Sequence, residues 1–144
     1  MIYKNHLCTS GIIIRDGKVL LGNRLYDDAN VWISPGGRCE DGESPEVALL
    51  RELTEEIGIS DARIVYKIGE KDGVYEDERG RDHVAVFMVA TTQQPRLMEP
   101  KKFREWKWFG LDELPKNLLD HADAEFFKAA LKKDNSIKDN LGVS

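Results

Sequence analysis

The sequence predicts a single α+β domain in which helices pack on a mixed β-sheet, and three observations support this prediction. Short apolar segments between turn residues are typical of strands, and two longer segments carry apolar residues at helical spacing. The order of these elements is irregular and lacks a βαβ repeat. At 144 residues the chain is long enough to bury one core. We expect one domain over residues 1–144, with an ordered core over about 5–133 and a polar C-terminal tail.

The first strands are predicted from a turn and a short apolar run. The segment HLCTSGIIIRDGKVLLGNR indicates two strands joined at Asp16 and Gly17, a dipeptide typical of tight hairpins. The run VWIS predicts a further short strand that ends at Pro35. Gly36 and Gly37 follow and can turn tightly, which directs backbone groups toward one point. A carbonyl there would suit a metal ion, although a plain tight turn explains the same residues.

A helix is predicted over SPEVALLRELTEEIG because both of its ends carry capping residues. Ser44 suits the N-cap and Pro45 the first helical position, while Gly58 suits the C-terminal cap.

The second half of the chain predicts three strands, a loop and a helix. The strands are ARIVYKIG, HVAVFMVATT and EWKWFGL, and the polar segment EKDGVYEDERGRD between the first two predicts an exposed loop. Apolar residues recur at helical spacing from about Leu118 to Leu131. After Lys133 the chain is polar, and we expect a frayed tail.

Composition argues against several classes of function. The 26 acidic residues exceed the 21 lysines and arginines, and the net charge of −5 disfavours a nucleic-acid scaffold or a protein that binds anionic membranes. No apolar run approaches the roughly 20 residues that span a bilayer, and the N-terminus lacks the pattern of a secretory signal. Cys8 and Cys39 lack metal-binding spacing, so we expect free thiols in a reducing cytoplasm.

The first predicted helix has an apolar face and an acidic face. Arg51 is poorly placed to neutralise the whole acidic face, which lies in the last two turns, where the helix dipole disfavours anions. Crowded carboxylates in that position favour a Mg²⁺ or Mn²⁺ site, although a solvated acidic surface is the ordinary alternative. The apolar face contains Leu50, Leu53 and Ile57 with Val47 and Leu49 at its margins, and the acidic face contains Glu52, Glu55 and Glu56.

The segment from Gly37 to Ile59 resembles the signature of the Nudix hydrolase superfamily, whose best-known members are MutT-like enzymes. Glu43 follows Gly37 after five residues, and RELTEEIGI begins at Arg51 after seven more, so every fixed position of that signature is matched. The hairpin before the motif, the lead-in WISPGG and the segment EWKWFGLDELP are also similar to the family, and the resemblance spans roughly residues 5–132. It implies the Nudix fold, an α/β/α sandwich with a central mixed sheet flanked by helices.

The resemblance also implies roles for the motif residues. In the family this loop–helix–loop holds divalent metal ions against a diphosphate. Carried over, Glu52, Glu55 and Glu56 are catalytic metal ligands for Mg²⁺ or Mn²⁺, with the Gly36 carbonyl as a further ligand. Either Glu52 or Glu56 would accept the proton of the attacking water. The structural residues would be Gly37 and Gly58, together with Glu43 and Arg51, which would pair and brace the loop against the helix.

Residues outside the motif are predicted from their positions in related enzymes. A further acid completes such sites, and Glu99, before the EWKWF strand, is our candidate, with Glu105 as the alternative. Arg24, at the end of the second strand, resembles a basic position that contacts phosphates. An ordinary surface role is the alternative for Glu99 and for Arg24.

Aromatic residues predict where a nucleobase would stack. Trp32 and Phe87 are expected to bind substrate in this way, and Trp106 is a further candidate. Burial in the core is the alternative for each, and Trp106 shares one strand face with Trp108. His83 begins a strand and could touch substrate, although a structural role is the more common one for a single histidine.

The resemblance implies a hydrolase that cleaves a diphosphate linkage of nucleoside diphosphate-X compounds. We expect a (deoxy)nucleoside triphosphate pyrophosphohydrolase that releases a nucleoside monophosphate and pyrophosphate, because the compact size and the region EPKKFREWKWFGLDELP resemble that branch. Nucleotide sugars, ADP-ribose and dinucleoside polyphosphates are alternative substrates. A non-catalytic domain that binds nucleotide or protein is a further alternative, which the intact glutamates disfavour. We expect a small-molecule nucleotide substrate, a monomer or homodimer, and a cytoplasmic location.

Overall fold

Strands dominate the chain, and one helix packs on each side of them. The structure is a computed structural model that describes residues 5–27, 29–77, 80–118 and 124–140. The elements are β1 (Asn5–Arg15), β2 (Lys18–Leu25), β3 (Asn30–Ile33), β4 (Gly36–Arg38), α1 (Pro45–Ile57), β5 (Arg63–Asp77), β6 (Gly80–Ala90), β7 (Phe103–Gly110) and α2 (Ala124–Asn140). Neither helix within those ranges is long and apolar enough to cross a membrane.

The sheet is mixed, as predicted. Its main path runs β3-β2-β1-β6-β5, with β4 paired to β1 and β7 paired to β2. The β1–β6 pair is parallel, whereas the other named pairs are antiparallel. The predicted hairpin turn at Asp16 and Gly17 is confirmed, because β1 ends and β2 begins on either side of it.

Strand β1 exchanges its antiparallel partner along its length. Near the hairpin it pairs with β2, at Ile14 opposite Val19. Farther back it pairs with β4, from Cys8 opposite Arg38 to Ser10 opposite Gly36. A cavity lies between the two groups of strands that result, with lining residues from β1, β4 and β6 and from β2 and β3.

Two hydrophobic cores lie on the two faces of the sheet, which confirms the layered arrangement of helix, sheet and helix. Alternate residues of a strand point to opposite faces. Ile13 of β1 packs with Leu49 and Leu53 of α1, whereas its neighbour Ile12 belongs to the cluster that contains Phe127 of α2. Burial of these apolar side chains, at about 25 cal/mol per Å², is the main force holding each helix to the sheet.

Helix α1 matches the predicted caps but differs in the orientation of its apolar face. The Ser44 side chain accepts a hydrogen bond from the Val47 N–H at 3.2 Å, and Gly58 adopts a left-handed conformation with φ of 69°. Leu50 was predicted to pack on the sheet, but it is 40% exposed, whereas Leu49 is fully buried. The buried arc is rotated because it also includes Glu56.

The prediction of an exposed loop over the segment EKDGVYEDERGRD is wrong, because the segment belongs to two strands. It continues β5 to Asp77 and begins β6 at Gly80, so the two strands form a long hairpin, with residues 78 and 79 outside the described part. Backbone pairing extends as far as Asp72 opposite His83 and Asp77 opposite Gly80. The sequence of this segment lacks the apolar alternation that predicts a strand, which is why it was assigned to a loop.

The second helix begins and ends later than predicted. It was expected over about residues 118–131, but α2 spans Ala124–Asn140, and residues 119–123 lie outside the described part. Leu118 instead forms an isolated bridge with Trp32. The segment after Lys133, predicted as a frayed tail, is helical through Asn140. No glycine or proline interrupts the sequence before Gly142, so nothing in it ends the helix early.

Candidate active site

Helix α1 and strand β4 meet at Glu56 and Gly36. The Gly36 N–H donates a hydrogen bond to Glu56 Oε1 at 2.9 Å, and Glu56 is only 6% exposed. Gly36 has a φ of 150°, and a β-carbon there would lie 2.1 Å from the Thr9 carbonyl oxygen. A β-carbon on Gly37 would lie 2.8 Å from Glu52 Oε1. The absence of a β-carbon therefore lets Gly36 lie close to the backbone of β1 and lets Gly37 lie close to the Glu52 carboxylate.

Glu52 and Glu56 are two acids in a poorly solvated place. Burial, and then the negative charge of Glu52, raises the pKa of Glu56 well above its usual value, although the Gly36 hydrogen bond opposes this. Burial also raises the pKa of Glu52, and the Arg51 charge opposes it. Two desolvated carboxylates disfavour joint ionisation, and a bound cation would relieve that cost.

Arg51 forms the ion pair with Glu43 that the resemblance implies. Its Nε and Nη2 donate to the two Glu43 oxygens at 2.8 Å each, a bidentate geometry with above-average strength. This pairing, followed by a bond from the Glu40 N–H, lowers the pKa of Glu43 to about 2. Arg51 Nη2 also donates to the Arg38 carbonyl at 3.2 Å, so the pair joins the loop after β4 to the helix.

Arg51 pairs with two of the three glutamates of the acidic face, Glu52 and Glu55, which agrees with the expectation that it is poorly placed to neutralise all three. Arg51 Nη1 lies 3.0 Å from Glu52 Oε1 and 3.2 Å from Glu55 Oε2. The Glu55 side chain is 52% exposed, whereas Glu52 and Glu56 both line the cavity. The predicted acidic face is therefore divided into an inner carboxylate pair and one outer carboxylate.

A divalent cation fits the inner pair better than it fits all three glutamates. Within residues 5–27, 29–77, 80–118 and 124–140, no three acidic, histidine or cysteine side chains form a ready-made metal site. The Glu52 and Glu56 oxygens are nevertheless hard ligands in one cavity, with a third negative charge nearby, from Glu99, that raises the pKa of both. The ligand role of Glu55 and of the Gly36 carbonyl stays a prediction.

The segment before β7 is fastened to the C-terminal end of α1. The Arg96 N–H donates to the Ile57 carbonyl at 2.8 Å, and the Met98 N–H donates to the Glu56 carbonyl at 3.4 Å. Arg96 Nη2 also donates to the Gly58 carbonyl at 3.2 Å. The guanidinium lies so close to Gly58 that a β-carbon there would be 2.7 Å from Nη2. These bonds satisfy helix carbonyls and place a cation at the negative end of the helix dipole.

This fastening brings Glu99 toward the carboxylate pair. The Glu99 side chain is 27% exposed and lies 3.4 Å from Lys102 Nζ, and Lys102 lines the cavity. Neither Glu99 nor the alternative acid, Glu105, is among the described residues that line the cavity, but the charge of Glu99 contributes to the raised pKa values of Glu52 and Glu56, whereas Glu105 is exposed on β7. The position of Glu99 is therefore compatible with its predicted role, whereas that of Glu105 is not.

The cavity has a volume of about 410 Å³ and a cationic rim. Its lining includes three basic residues, Arg24, Arg38 and Lys102. The Arg24 guanidinium lies 4.9 Å from the centre of the Tyr26 ring and donates to the Lys102 carbonyl at 3.1 Å. The sequence therefore placed Arg24 in the correct region, and its contact with phosphate stays a prediction.

The predicted base-stacking residues are wrong, because they belong to the hydrophobic cores. Phe87 is 3% exposed and packs with the α1 cluster, so neither ring face is open to a base. Trp32 meets the Phe109 ring edge-to-face at 4.8 Å, packs against the α2 cluster and does not line the cavity. Trp106 is tilted against Phe103 at 4.6 Å. In a small domain, large aromatic side chains are needed to fill the core.

His83 lies on the hairpin rather than at the cavity. Its Nδ1 is hydrogen-bonded to Asp72, and its Nε2 lies 3.6 Å from Glu70. The bond to Asp72 is the main cause of its raised pKa.

Sequence reasoning missed several residues that line the cavity, among them Tyr26, Arg38, Lys102 and Asp82. Tyr26 lies two residues after Arg24, just beyond the end of β2, and its place beside a predicted phosphate contact is a signal that was available. Arg38 gave no such signal, and Asp82 fell within the segment wrongly predicted as a loop.

Sequence comparisons with known proteins support the resemblance found in the motif. The NUDIX domain family matches residues 4–130. An RNA pyrophosphohydrolase from Hydrogenovibrio crunogenus is 46% identical over 122 residues, covering 81% of this chain and 67% of that protein. Another RNA pyrophosphohydrolase, from Sphingopyxis alaskensis, is 30% identical over 121 residues, covering 73% of this chain and 77% of that protein.

Solved structures show the same architecture. A MutT NUDIX hydrolase from Burkholderia pseudomallei superimposes with a TM-score of 0.72 at 26% identity, covering 90% of this chain and 97% of that one. The solution structure of the E. coli ORF135 protein gives a TM-score of 0.74 at 27% identity, covering 93% and 94% of the two chains.

Proposed function

This chain belongs to the NUDIX family and is a pyrophosphohydrolase, and on that premise we propose that it releases pyrophosphate from a nucleoside 5′-triphosphate with the help of Mg²⁺ or Mn²⁺. The observation that carries the proposal is the division of one cavity into an acidic side, with Glu52 and Glu56, and a cationic rim. Such a cavity suits a polyphosphate that bridges a divalent cation and basic side chains.

The residues of the cavity have distinct roles in this proposal. Glu52 and Glu56 hold the cation, and Glu99 adds charge beside them. The bound cation neutralises phosphate oxygens and stabilises the charge of the leaving group. Arg24 and Lys102 hold the phosphates on the rim. Arg24 Nη1 donates a hydrogen bond to the Lys102 carbonyl, which keeps the two residues together. Glu52 and Glu56 are the two candidates for accepting the proton of the attacking water.

The free (deoxy)nucleoside triphosphate is the first candidate substrate. The acidic net charge of −5 disfavours a long nucleic-acid contact, and a cavity of about 410 Å³ suits a small molecule. Hydrolysis in ¹⁸O-labelled water should release unfragmented pyrophosphate and put the label in only one product per turnover. Stepwise release of orthophosphate from the γ position would contradict this assignment.

The 5′-triphosphate end of RNA is the second candidate substrate. It is favoured by the relatives named RNA pyrophosphohydrolase, of which the two described above cover most of this chain. A direct comparison of kcat/KM for the four nucleoside triphosphates and for short 5′-triphosphorylated RNAs decides between the two. ADP-ribose, a nucleotide sugar and a dinucleoside polyphosphate complete the panel, and faster hydrolysis of any of them would displace the triphosphate proposal.

A further inference from the structure

The end of the cavity away from α1 holds a buried acid that the hydrolytic step does not use. Asp82 is 6% exposed and lines the cavity together with Arg38. Arg38 Nη2 lies 3.7 Å from Asp82 Oδ1, and its side chain is 48% exposed. This separation is longer than a hydrogen bond, so the two charges face each other without a direct bond between these atoms.

The strand register gives the distance of this pair from the carboxylates. Gly36, which binds Glu56, lies opposite Ser10 of β1. Asp82 lies opposite His6, four residues farther along the same strand. At a rise of about 3.3 Å per residue, the cross-strand pair of Ser10 and Gly36 lies about 13 Å from the cross-strand pair of His6 and Asp82. A nucleotide whose phosphates lie at the carboxylate end would therefore direct its base toward Asp82.

Uncharged residues also line the cavity. Cys8 of β1 lies opposite Val84 of β6, between the Ser10 and His6 positions, and both line the cavity together with Ile33. Burial, and then the negative charge of Asp82, raises the pKa of the Cys8 thiol to about 12, so this thiol is neutral at physiological pH. A neutral floor suits the flat face of a nucleobase, and Tyr26 adds an aromatic ring to the same lining.

The chemistry of the charged pair selects one kind of base edge. An ionised aspartate only accepts hydrogen bonds, whereas an arginine guanidinium only donates them. The complementary edge has two adjacent N–H groups for the carboxylate and a carbonyl oxygen beside them for the guanidinium. Guanine presents this arrangement on its Watson–Crick edge, whereas adenine, cytosine and uracil each present a single donor position there.

We propose that Arg38 and Asp82 form a guanine-recognition site at the far end of the hydrolytic cavity. This inference rests on the proposed function, because it assigns the base end of the same substrate. Asp82 accepts the imino and amino N–H groups, and Arg38 donates to the carbonyl. The competing explanation is purely structural: the ion pair would join β4 to β6, which both pair with β1.

The first experiment measures binding without turnover. Isothermal titration should give a lower Kd for GMP than for IMP, which lacks only the 2-amino group, and a lower Kd for IMP than for AMP. Asp82→Asn replaces one acceptor by a donor, and it should weaken GMP binding roughly ten- to hundred-fold, as expected for the loss of one bidentate contact. AMP binding should change less than about three-fold, because an amide can pair with its donor–acceptor edge.

The second experiment repeats the comparison during hydrolysis. The ratio of kcat/KM for GTP over ATP should exceed one in the parent and fall toward one in Asp82→Asn. RNAs that begin with a triphosphorylated G or A provide the same ratio. Asp112→Asn, an exposed acid in the turn after β7, is the matched control and should leave the ratio unchanged. Melting curves of both variants test the structural explanation. If the ion pair only joins the strands, its loss would lower the melting temperature without changing the base preference.

The outcomes separate this inference from the proposed function. Equal Kd values for GMP, IMP and AMP, or a base preference that Asp82→Asn leaves intact, overturn the guanine site. Absence of pyrophosphate release from every triphosphate tested overturns the proposed function instead, and the binding series still decides the base site.

Discussion

Helix α1 has two acidic sides with different electrostatics. On the inner side, Glu56 is 6% exposed and bonds to the backbone of Gly36. On the outer side, the neighbouring Glu55 is half exposed and pairs with Arg51. Adjacent residues of one motif therefore differ in solvation and in partner. The difference shows that a run of glutamates is not one anionic surface, because the helix separates consecutive residues by about 100°.

The largest expected effect comes from removing the inner charge. Glu56→Gln should lower kcat by several orders of magnitude, since general-base catalysis alone contributes about 10²–10⁴-fold. Its amide oxygen can still accept from the Gly36 N–H, so the metal-free melting temperature should stay level or rise. Mg²⁺ should then stabilise the variant less than the parent, because linked stabilisation follows affinity. Initial rates and melting curves with and without Mg²⁺ measure all three.

Leu53→Ala is the control for Glu56→Gln, because Leu53 is fully buried on the same helix. Truncation there costs about 2–5 kcal/mol of folding free energy, so stability should fall first. Parental turnover in Glu56→Gln, or unfolding as severe as that of Leu53→Ala, would mean that the inner carboxylate is structural.

The next effect concerns the attachment of Glu99 to the inner side. Arg96→Ala removes the guanidinium bond to the Gly58 carbonyl and loosens the segment that carries Glu99. We expect the Mg²⁺ concentration for half-maximal activity to rise roughly 10–100-fold, as for other groups that orient ligands. A Mn²⁺ titration followed by calorimetry measures the same change without catalysis.

Combining Arg96→Ala with Glu99→Gln tests how the first acts. If Arg96 works through Glu99, the double variant should bind Mn²⁺ no more weakly than Glu99→Gln alone. Additive losses would show that Arg96 acts on the cation site by another route. Arg104→Ala, an exposed cation on β7, is the control for loss of positive charge.

A smaller effect is expected on the outer side. Glu55→Gln removes an exposed partner of Arg51, whose pair with Glu43 persists. Exposed ion pairs contribute at most about 1 kcal/mol, so the stability change should be small and the loss of kcat far below that of Glu56→Gln. A loss equal to that of Glu56→Gln would show that Glu55 turns inward as a cation ligand when the cation binds, and the division of the helix would then hold only without metal.

The smallest effect is a pH dependence of the metal-free protein. Glu52 and Glu56 have pKa values above the ordinary 4.5 in the folded chain. The folded state therefore binds more protons than the unfolded state above that pH, so stability should fall as the pH rises from about 4.5 through the folded pKa values. His83, with its raised pKa, acts in the same direction at higher pH. Melting temperatures across this range, in chelator, should vary less for Glu56→Gln than for the parent.

The sequence predicted those parts of the fold that depend on residues close together in the chain. Ser44, Gly58 and the Asp16–Gly17 turn act through neighbouring backbone, and the structure confirms them. The hairpin extension of β5 and β6 gave no signal, because its sequence lacks apolar alternation. Phe87 shows the same limit of sequence-based prediction at the site. An aromatic side chain can stack on a base or fill the core, and the sheet register decides which role it has.

The site was predicted to a similar depth. Spacing in the motif indicated the carboxylates of α1, but it could not show that Glu55 turns outward, which depends on where Arg51 lies. Asp82 comes from a strand about 26 residues beyond the helix, and its place in the cavity follows from the parallel pairing of β6 with β1. Such non-local pairing leaves no pattern in a single sequence.

The pairing of β1 with β4 and β6 bears on how a domain of this kind can diversify. At Ser10 the strand is tied through Gly36 of β4 to the helix that carries the carboxylates, whereas at His6, beyond the residues that pair with β4, it faces Asp82 of β6. Inherited changes at the second position leave the first position's glycine contacts untouched. After gene duplication, one copy can therefore acquire a different substrate by a few point mutations while both copies keep the same hydrolytic chemistry.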